Sequence, residues 1–265
     1  MQLTMLGTGS AMVLDYYNTC FLLSNNKQHF LIDGGGGNGI FKQLRAVHIN
    51  WQDIKEIFVS HNHLDHILGI VWFIRMICQF MGTGNYEGEA KIYAHDEVIY
   101  LLDEIAKKVL LAEDYAFIGK RLHLIEVKDG AEREIIGKRV KFFDIGSLKT
   151  KQFGFLLSEK NKKICFCGDE PLSAKTKQYA LNVDWLLCEA FCLYSQRELF
   201  KPYEKNHSTC KDAAEIAQEL GVKNLILYHT EDKNLKNRKE LYRAEALQSF
   251  KGNVFVPEDL EVLEL

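Results

Sequence analysis

The 265-residue sequence holds only three prolines and no proline- or serine-rich stretch. Nothing in it reads as an interdomain linker, and one domain over residues 1–265 is expected. It also lacks an excess of charge of either sign. A formal net charge of -3 and a pI near 6.3 supply no global basic field, which argues against tight, non-specific capture of a nucleic-acid backbone. Local positive charge can still serve a small anionic substrate. The start, Met1-Gln2-Leu3-Thr4-Met5-Leu6, has neither a charged n-region nor a long apolar h-region. No later apolar run is expected to reach the roughly 18 residues of a membrane span. The expectation is a cytoplasmic, soluble protein without membrane contact. Seven cysteines is an odd number, and Cys165, Cys167, Cys188 and Cys192 lie in strand-like apolar stretches. That pattern fits reduced, buried thiols better than a disulfide framework. It also disfavours an all-cysteine zinc site, because the neighbours of the Cys165-x-Cys167 pair belong to a core strand.

What the sequence does have is Ser60-His61-Asn62-His63-Leu64-Asp65-His66, with four metal-competent side chains in six consecutive positions. The β-branched, apolar run Ile57-Phe58-Val59 before it reads as a buried strand, and residues 67–80 after it read as a buried helix. The cluster therefore falls on a strand-to-helix turn. His61 and His63, two apart, project the same way from extended backbone, while Asp65 and His66 open the helix and reach a second point close by. One cluster can feed two metal ions. Imidazole with carboxylate is the donor mixture of zinc, manganese or non-haem iron rather than of calcium or magnesium. Polar residues packed this tightly between two apolar elements need such a reason to be there.

His61, His63, Asp65 and His66 resemble the signature of the metallo-β-lactamase fold, and other stretches resemble its ribonuclease Z branch. Leu6-Gly7-Thr8-Gly9-Ser10-Ala11 is similar to that branch's opening strand and turn, and Leu31-Ile32-Asp33-Gly34-Gly35 to its second motif. Phe166-Cys167-Gly168-Asp169 is similar to its bridging-aspartate strand, and Tyr228-His229-Thr230 to its last ligand. The resemblance spans nearly the whole chain in family order. It implies that Asp33 orients a ligand histidine by hydrogen bond, that Asp169 bridges two cations with Glu170 as rival, and that His229 is the last ligand of the second ion. His207, in Asn206-His207-Ser208-Thr209, resembles the histidine that steadies the transition-state phosphate or protonates its leaving group. Glu189, at a strand end near the site, reads either as support for a ligand or as a bland strand-end charge.

The remaining chain is organised as strands and helices around these motifs. Successive strands fill residues 1–33, with a turn at 24–27. The run Gly34-Gly35-Gly36-Gly37 lacks the lysine and Ser/Thr of a phosphate loop and reads instead as a close turn past the site into a helix over 39–47. A strand over 91–95 leads, through Asp96 as N-cap, to a helix over 97–111. His95, His29, His48 and His123 stand alone without metal spacing. Strands are expected over 122–127, 134–136, 140–145 and 153–157, a turn and strand over 161–166, and strands over 183–188 and 224–228. Ser208 or Thr209 caps a helix over 210–220, which Gly221 stops, and a closing helix covers 238–250. Two sets of strands, each followed by helices, suit an α/β, four-layer αββα sandwich.

One departure from the resemblance matters. Gly146, in Phe142-Phe143-Asp144-Ile145-Gly146-Ser147, stands where the ribonuclease Z branch carries a third-motif histidine. The ion held by His61 and His63 then lacks a third imidazole, while the one held by Asp65 and His66 keeps its ligands. The long arm that holds transfer RNA in that branch is also missing, since only residues 153–168 separate the third motif from the bridging aspartate.

The expected chemistry is hydrolysis of a phosphodiester or related small ester by a metal-activated hydroxide, with one or two Zn2+ ions, Mn2+ or Fe being alternatives. Asp65 would orient or deprotonate the water and His207 would serve the leaving oxygen. A large transfer-RNA substrate is not expected, and the macromolecular partner expected is a second copy of the chain in a homodimer. The rival reading is a metal-binding or regulatory protein on the same fold with weakened or lost catalysis. A di-iron oxidoreductase is a third reading, disfavoured because such sites prefer a carboxylate where His63 stands.

Overall fold

Two seven-stranded mixed sheets carry the chain, and each organises one compact unit. The computed structural model describes residues 1–160 and 162–265. Asn161, where a turn is expected, lies outside the described residues.

The first unit comprises Met1–Gly7, Tyr17–Lys128 and Leu260–Leu265. Its strands lie in the order Val262–Glu264, Gln2–Gly7, Cys20–Asn25, Gln28–Ile32, Ile54–Phe58, Ala90–Ala94 and Leu122–Glu126. The first three pairings are antiparallel and the last three parallel. The sequence explains the switch. Asn25 pairs with Gln28, and Asn26 takes the left-handed conformation (φ 56°) that a two-residue hairpin turn demands. Parallel neighbours need crossovers instead, and the helices Gly39–Ala46, Leu64–Gly82 and Asp96–Val109 supply them. In the middle helix Ile67, Ile70, Ile74 and Ile77 recur at helical spacing and are buried with Leu44, Leu102 and the strand residues Leu31, Ile57 and Ile92.

Two expectations need correction here. Helix Leu64–Gly82 is, at 19 residues, long and apolar enough to cross a bilayer, although no such run was expected. Ten of its residues are buried in this unit, which is the pattern of a core helix. The N-cap of Asp96–Val109 is His95, not Asp96, which sits inside the first turn, where its charge favours the helix dipole.

The second unit comprises Thr8–Tyr16 and Asp129–Asp259. Its strands run Asn253–Phe255, Asn224–Tyr228, Trp185–Glu189, Lys162–Phe166, Phe153–Glu159, Lys138–Asp144 and Glu132–Ile135. Here three parallel pairings are followed by three antiparallel ones, so the pattern of the first unit recurs. Helices Cys210–Glu219 and Arg238–Ala246 bury Ala213, Ala214, Ala217, Tyr242 and Ala246 with Leu186, Leu225 and Leu227. The small alanines let helix and sheet approach closely. Thr209, not Ser208, is the N-cap of Cys210–Glu219, in a capping box with Asp212. All seven cysteines are buried thiols.

In both units the chemistry-bearing residues follow the carboxyl ends of the parallel strands. Asp33, His61 and His95 stand there in the first unit, and Asp169, Glu189 and His229 in the second. Open α/β sheets place ligands at that end.

Candidate metal centre

In the first unit the metal-competent cluster is oriented by Asp33. This residue is fully buried, and its left-handed backbone (φ 57°), which Asp tolerates better than most side chains, turns the carboxylate into the strand-to-helix turn. Its Oδ1 accepts from the Ser60 backbone N–H at 2.7 Å, and its Oδ2 accepts from Ser60 Oγ at 2.7 Å and from His66 Nδ1 at 2.8 Å. Because a carboxylate only accepts, the neutral His66 ring carries its proton on Nδ1 and its lone pair on Nε2. Ser60 Oγ, having donated to Asp33, accepts from His61 Nδ1 at 2.9 Å, which likewise leaves the lone pair of His61 on Nε2. One carboxylate thus sets the tautomer of two imidazoles, as expected for Asp33.

The glycine run exists to let this happen. A Cβ on Gly69 would lie 1.9 Å from the Gly34 carbonyl oxygen, and one on Gly34 2.6 Å from the Ile70 nitrogen. The Gly34 N–H donates to the His66 carbonyl at 2.8 Å and the Gly69 N–H to the Gly35 carbonyl at 3.0 Å. The loop after Asp33 is therefore laced to the first turn of the helix that carries Asp65 and His66. The Tyr17 hydroxyl closes the loop from outside, donating towards the Gly34 and Gly37 carbonyls at 3.0 and 2.8 Å.

Short pairwise distances link the four candidate donors of this unit. The His61 and His66 rings are 4.2 Å apart, the His61 and His63 rings 4.6 Å, and His61 Nε2 lies 3.0 Å from His63 Nδ1. His61, Asp65 and His66 are buried, while His63 is exposed. His66 Nε2 stands 3.3 Å from Asp65 Oδ2. A lone pair and a carboxylate oxygen that close call for a cation, either a proton on the ring or a metal ion, and the donor set fits zinc, manganese or iron.

The second unit repeats this arrangement with Asp169 and His229. His229 Nε2 is 3.0 Å from Asp169 Oδ2, and both side chains are buried. His229 is also left-handed (φ 58°), and Gly168 before Asp169 has φ 76°, a conformation that glycine adopts without strain. The Tyr228 hydroxyl donates to the Gly168 carbonyl, tying the Asp169 turn to the strand that delivers His229.

His207 Nδ1 donates to the Asp169 carbonyl at 3.0 Å, which fixes the lone pair of the neutral ring on Nε2. The ring stacks on Phe191, centroids 4.9 Å apart at 9°, and lies 5.3 Å from the His229 ring. Burial, and after it the neighbouring His229, lower the His207 pKa to about 4.

Glu189, for which the sequence offers two readings, has a definite task. Its Oε1 accepts from the Ser208 N–H and from Ser208 Oγ, and its Oε2 accepts from the Phe191 N–H at 3.1 Å. The carboxylate thereby holds the loop that carries His207, although burial pushes its carboxyl well above the usual range. One donor atom each of Glu189, His207 and His229 lies within 4.8 Å of the others. Glu189 is already committed to three loop donors, so it serves that loop. Sequence reasoning missed Phe191 and Tyr228, whose roles depend on strand pairing that no local pattern displays.

Gly146 has φ 76°, and its N–H donates to Asp144 Oδ1 at 2.8 Å. Ser147 Oγ donates to Glu170 Oε1 at 2.8 Å. Asp144 and Ser147, the polar neighbours of Gly146, are thus engaged within the loop and with Glu170.

The chain resembles ribonuclease Z of Archaeoglobus fulgidus, at 23% identity over 317 aligned positions that cover 100% of this chain and 97% of that protein. Among solved structures it resembles the metallo-β-lactamase fold protein YhfI from Bacillus subtilis, with a TM-score of 0.78, 18% identity and 99% of both chains covered. It also resembles a diphosphatase of the PhnP family, with a TM-score of 0.75, 18% identity, and 100% of this chain and 97% of that one covered. The fold is therefore the metallo-β-lactamase fold, the α/β class expected from sequence, and in sequence the chain resembles ribonuclease Z, as its motifs suggest. Residues 1–251 match the model of the Anti-Pycsar protein Apyc1 family, and the chain belongs to that family.

Proposed function

We propose that the protein is a metal-dependent phosphodiesterase acting on a small substrate such as a cyclic nucleotide, and that both units work as one domain over residues 1–265. In this reading His61, His63, Asp65, His66, Asp169 and His229 hold one or two zinc ions, with manganese or iron as substitutes. The donor chemistry of the Asp65–His66 and Asp169–His229 pairs supports it. A zinc-type cation supplies Lewis acidity towards a phosphorus centre and acidifies water near neutral pH. The chain does the rest. Asp65 orients the attacking water and takes up its proton, and His207 serves the leaving oxygen from Nε2. An anionic substrate beside the ring favours the imidazolium that this step needs.

The observation that carries the reading is His207. Its Nδ1 is bonded to the Asp169 carbonyl and its face is stacked on Phe191, so its remaining nitrogen is held in a fixed direction beside the Asp169–His229 pair. Such preorganisation serves turnover and adds nothing to metal storage. A small substrate is favoured over transfer RNA because Lys162 pairs with Glu159. That pairing lies within residues 153–168, the short stretch between the third motif and the bridging aspartate in which an RNA-holding arm would be inserted. The charge of -3 offers no other platform for a long polyanion. We place the enzyme in the cytoplasm, with a second copy of the chain as its only macromolecular partner if it has one.

The alternative, a metal-binding or regulatory protein with weakened catalysis, draws on Gly146, which offers no imidazole to the His61 and His63 ion. Hydrolysis of bis(p-nitrophenyl) phosphate and of cyclic nucleotides, run with an elemental metal count, separates the two. Metal-dependent turnover that falls in His207→Ala while the metal count holds supports the enzyme. Stoichiometric metal with no turnover on any of these substrates supports the alternative. Efficient, site-specific cleavage of a precursor transfer RNA would overturn the small-substrate reading.

A further inference from the structure

Arg238 is the largest fully buried side chain of the second unit, with no exposed surface. Its guanidinium reaches four groups from three separate segments. Nη1 donates to Thr230 Oγ1 at 2.9 Å and to Thr8 Oγ1 at 3.1 Å, and Nη2 donates to the Pro257 carbonyl and to Glu258 Oε2 at 3.2 Å. The Tyr16 ring lies 4.2 Å from Cζ. Among the described residues Nε has no hydrogen-bond partner. Burying a guanidinium is expensive unless its partners are well placed, and an apolar side chain of similar size would pack there at less cost. The partners that offset that cost include the segment directly after His229.

That segment is clamped from two sides. Thr230 pairs with Gly9, its N–H donating to the Thr8 carbonyl at 3.1 Å and its carbonyl accepting from the Ser10 N–H at 3.0 Å. Thr8 is fixed in turn, its N–H and Oγ1 both donating to Asp259 Oδ1 at 2.9 and 2.8 Å. Having spent its proton there, Thr8 Oγ1 can only accept from Arg238. One turn along helix Arg238–Ala246, on the same face, the Tyr242 hydroxyl donates to Glu231 Oε1 at 3.2 Å. Thr230 and Glu231, the two residues after His229, are therefore each gripped by the same helix. His229 itself sits at φ 58°, a conformation that persists in a non-glycine residue only where its surroundings over-determine it.

We propose that Arg238, assisted by Tyr242, is a positioning residue for His229: the closing helix holds the left-handed turn that aims the imidazole, and fastens the Thr8–Ser10 turn and the Pro257–Asp259 segment to it. The inference rests on His229 being a metal ligand. Lysine cannot replace the arginine, because a single ammonium on a flexible stem lacks the planar fork that meets Thr230, Thr8 and Pro257 together.

The test is the affinity of the purified full-length protein for Zn2+ by calorimetric titration, with the visible spectrum of the Co2+-loaded protein as a reporter of ligand geometry. Both are read well below the unfolding temperature of each variant. His229→Ala is the control for the underlying reading: if it keeps wild-type affinity, His229 is not a ligand and the reading of the site fails. If His229→Ala loses affinity, Arg238→Met and Arg238→Lys are expected to bind Zn2+ about 10-fold more weakly than wild type, the lower end of what supporting residues contribute to metal affinity, with an altered Co2+ spectrum. Thr230→Val should match them, Thr230→Ser should restore wild-type behaviour, and Arg238→Met combined with Thr230→Val should be no worse than either alone. Wild-type affinity and an unchanged Co2+ spectrum in a folded Arg238→Met protein overturn the proposal. If Arg238→Met does not fold, the milder Thr230→Val decides it by the same two measurements.

Discussion

Replacing Asp33 by asparagine exchanges one oxygen for an NH2 group and leaves the shape of the side chain unchanged. It also keeps the backbone content, since asparagine tolerates the φ of 57° found at this position, whereas alanine would add about 1–2 kcal/mol of left-handed strain. The perturbation is therefore to charge and hydrogen-bond polarity and not to shape. Asp33 accepts three hydrogen bonds, from the Ser60 N–H, Ser60 Oγ and His66 Nδ1. If the new NH2 takes the Oδ1 place, it faces the Ser60 N–H, and two buried donors confront each other. If it takes the Oδ2 place, His66 must turn Nδ1 into an acceptor and move its proton to Nε2, the nitrogen that stands 3.3 Å from Asp65 Oδ2. Either outcome harms the site. The first leaves a buried donor unsatisfied, at about 1–3 kcal/mol of stability. The second protonates the nitrogen needed for a metal and should weaken binding about 10- to 100-fold, or about 1.4–2.7 kcal/mol. Calorimetric zinc titration of wild type and Asp33→Asn, with thermal unfolding of both metal-free proteins, measures the two effects. A folded variant with both wild-type zinc affinity and wild-type stability would refute the tautomer assignment, because neither orientation of the amide permits that result.

Gly146→His, at φ 76°, should lose about 1 kcal/mol of stability by chemical denaturation while tightening the weaker of two metal sites; two equally tight sites in the wild type would show that another residue fills the missing histidine's place. Gly69→Ala should lower stability by about 1–3 kcal/mol, because its Cβ would stand 1.9 Å from the Gly34 carbonyl. Gly82→Ala in the same helix meets nothing closer than 3.4 Å and should gain up to about 1 kcal/mol from helix propensity; equal melting temperatures for the two variants would contradict this. Burial lowers the pKa of His29 despite the opposing charge of Asp53. The folded state thus binds that proton less readily than the unfolded chain, so its contribution is complete above the unfolded value of about 6.5 and is lost as pH falls below it. The drop in melting temperature between pH 7.5 and pH 5.5 should accordingly be smaller in His29→Gln than in wild type.

Local signals were legible and pairing-dependent ones were not. His61, His63, Asp65 and His66 lie within one short stretch of chain, so their spacing alone made their proximity legible. The four glycines read correctly as a close turn because the phosphate-loop alternative needs a lysine that is absent. Their actual partner, Gly69 in the following helix, could not be seen without knowing how the turn and helix pack. Glu189 stayed ambiguous because its partners Ser208 and Phe191 reach it only through the loop that returns to the strand end. Nothing in the sequence singles out Arg238 within the closing helix; only the return of Thr8, Thr230 and Pro257 to one place gives it a reason to be buried. The choice of Thr209 over Ser208 as cap follows the same logic, since Ser208 is already engaged by Glu189.

The central claim is that the donor pairs Asp65–His66 and Asp169–His229 hold a catalytic metal. Its most direct test is the metal content and zinc affinity of the wild type, of His66→Ala, of His229→Ala and of the double variant. The wild type should hold at least one tightly bound ion per chain, each single variant should bind it markedly more weakly, and the double variant should have no tight site while remaining folded. A double variant that keeps the stoichiometry and affinity of the wild type would contradict the assignment.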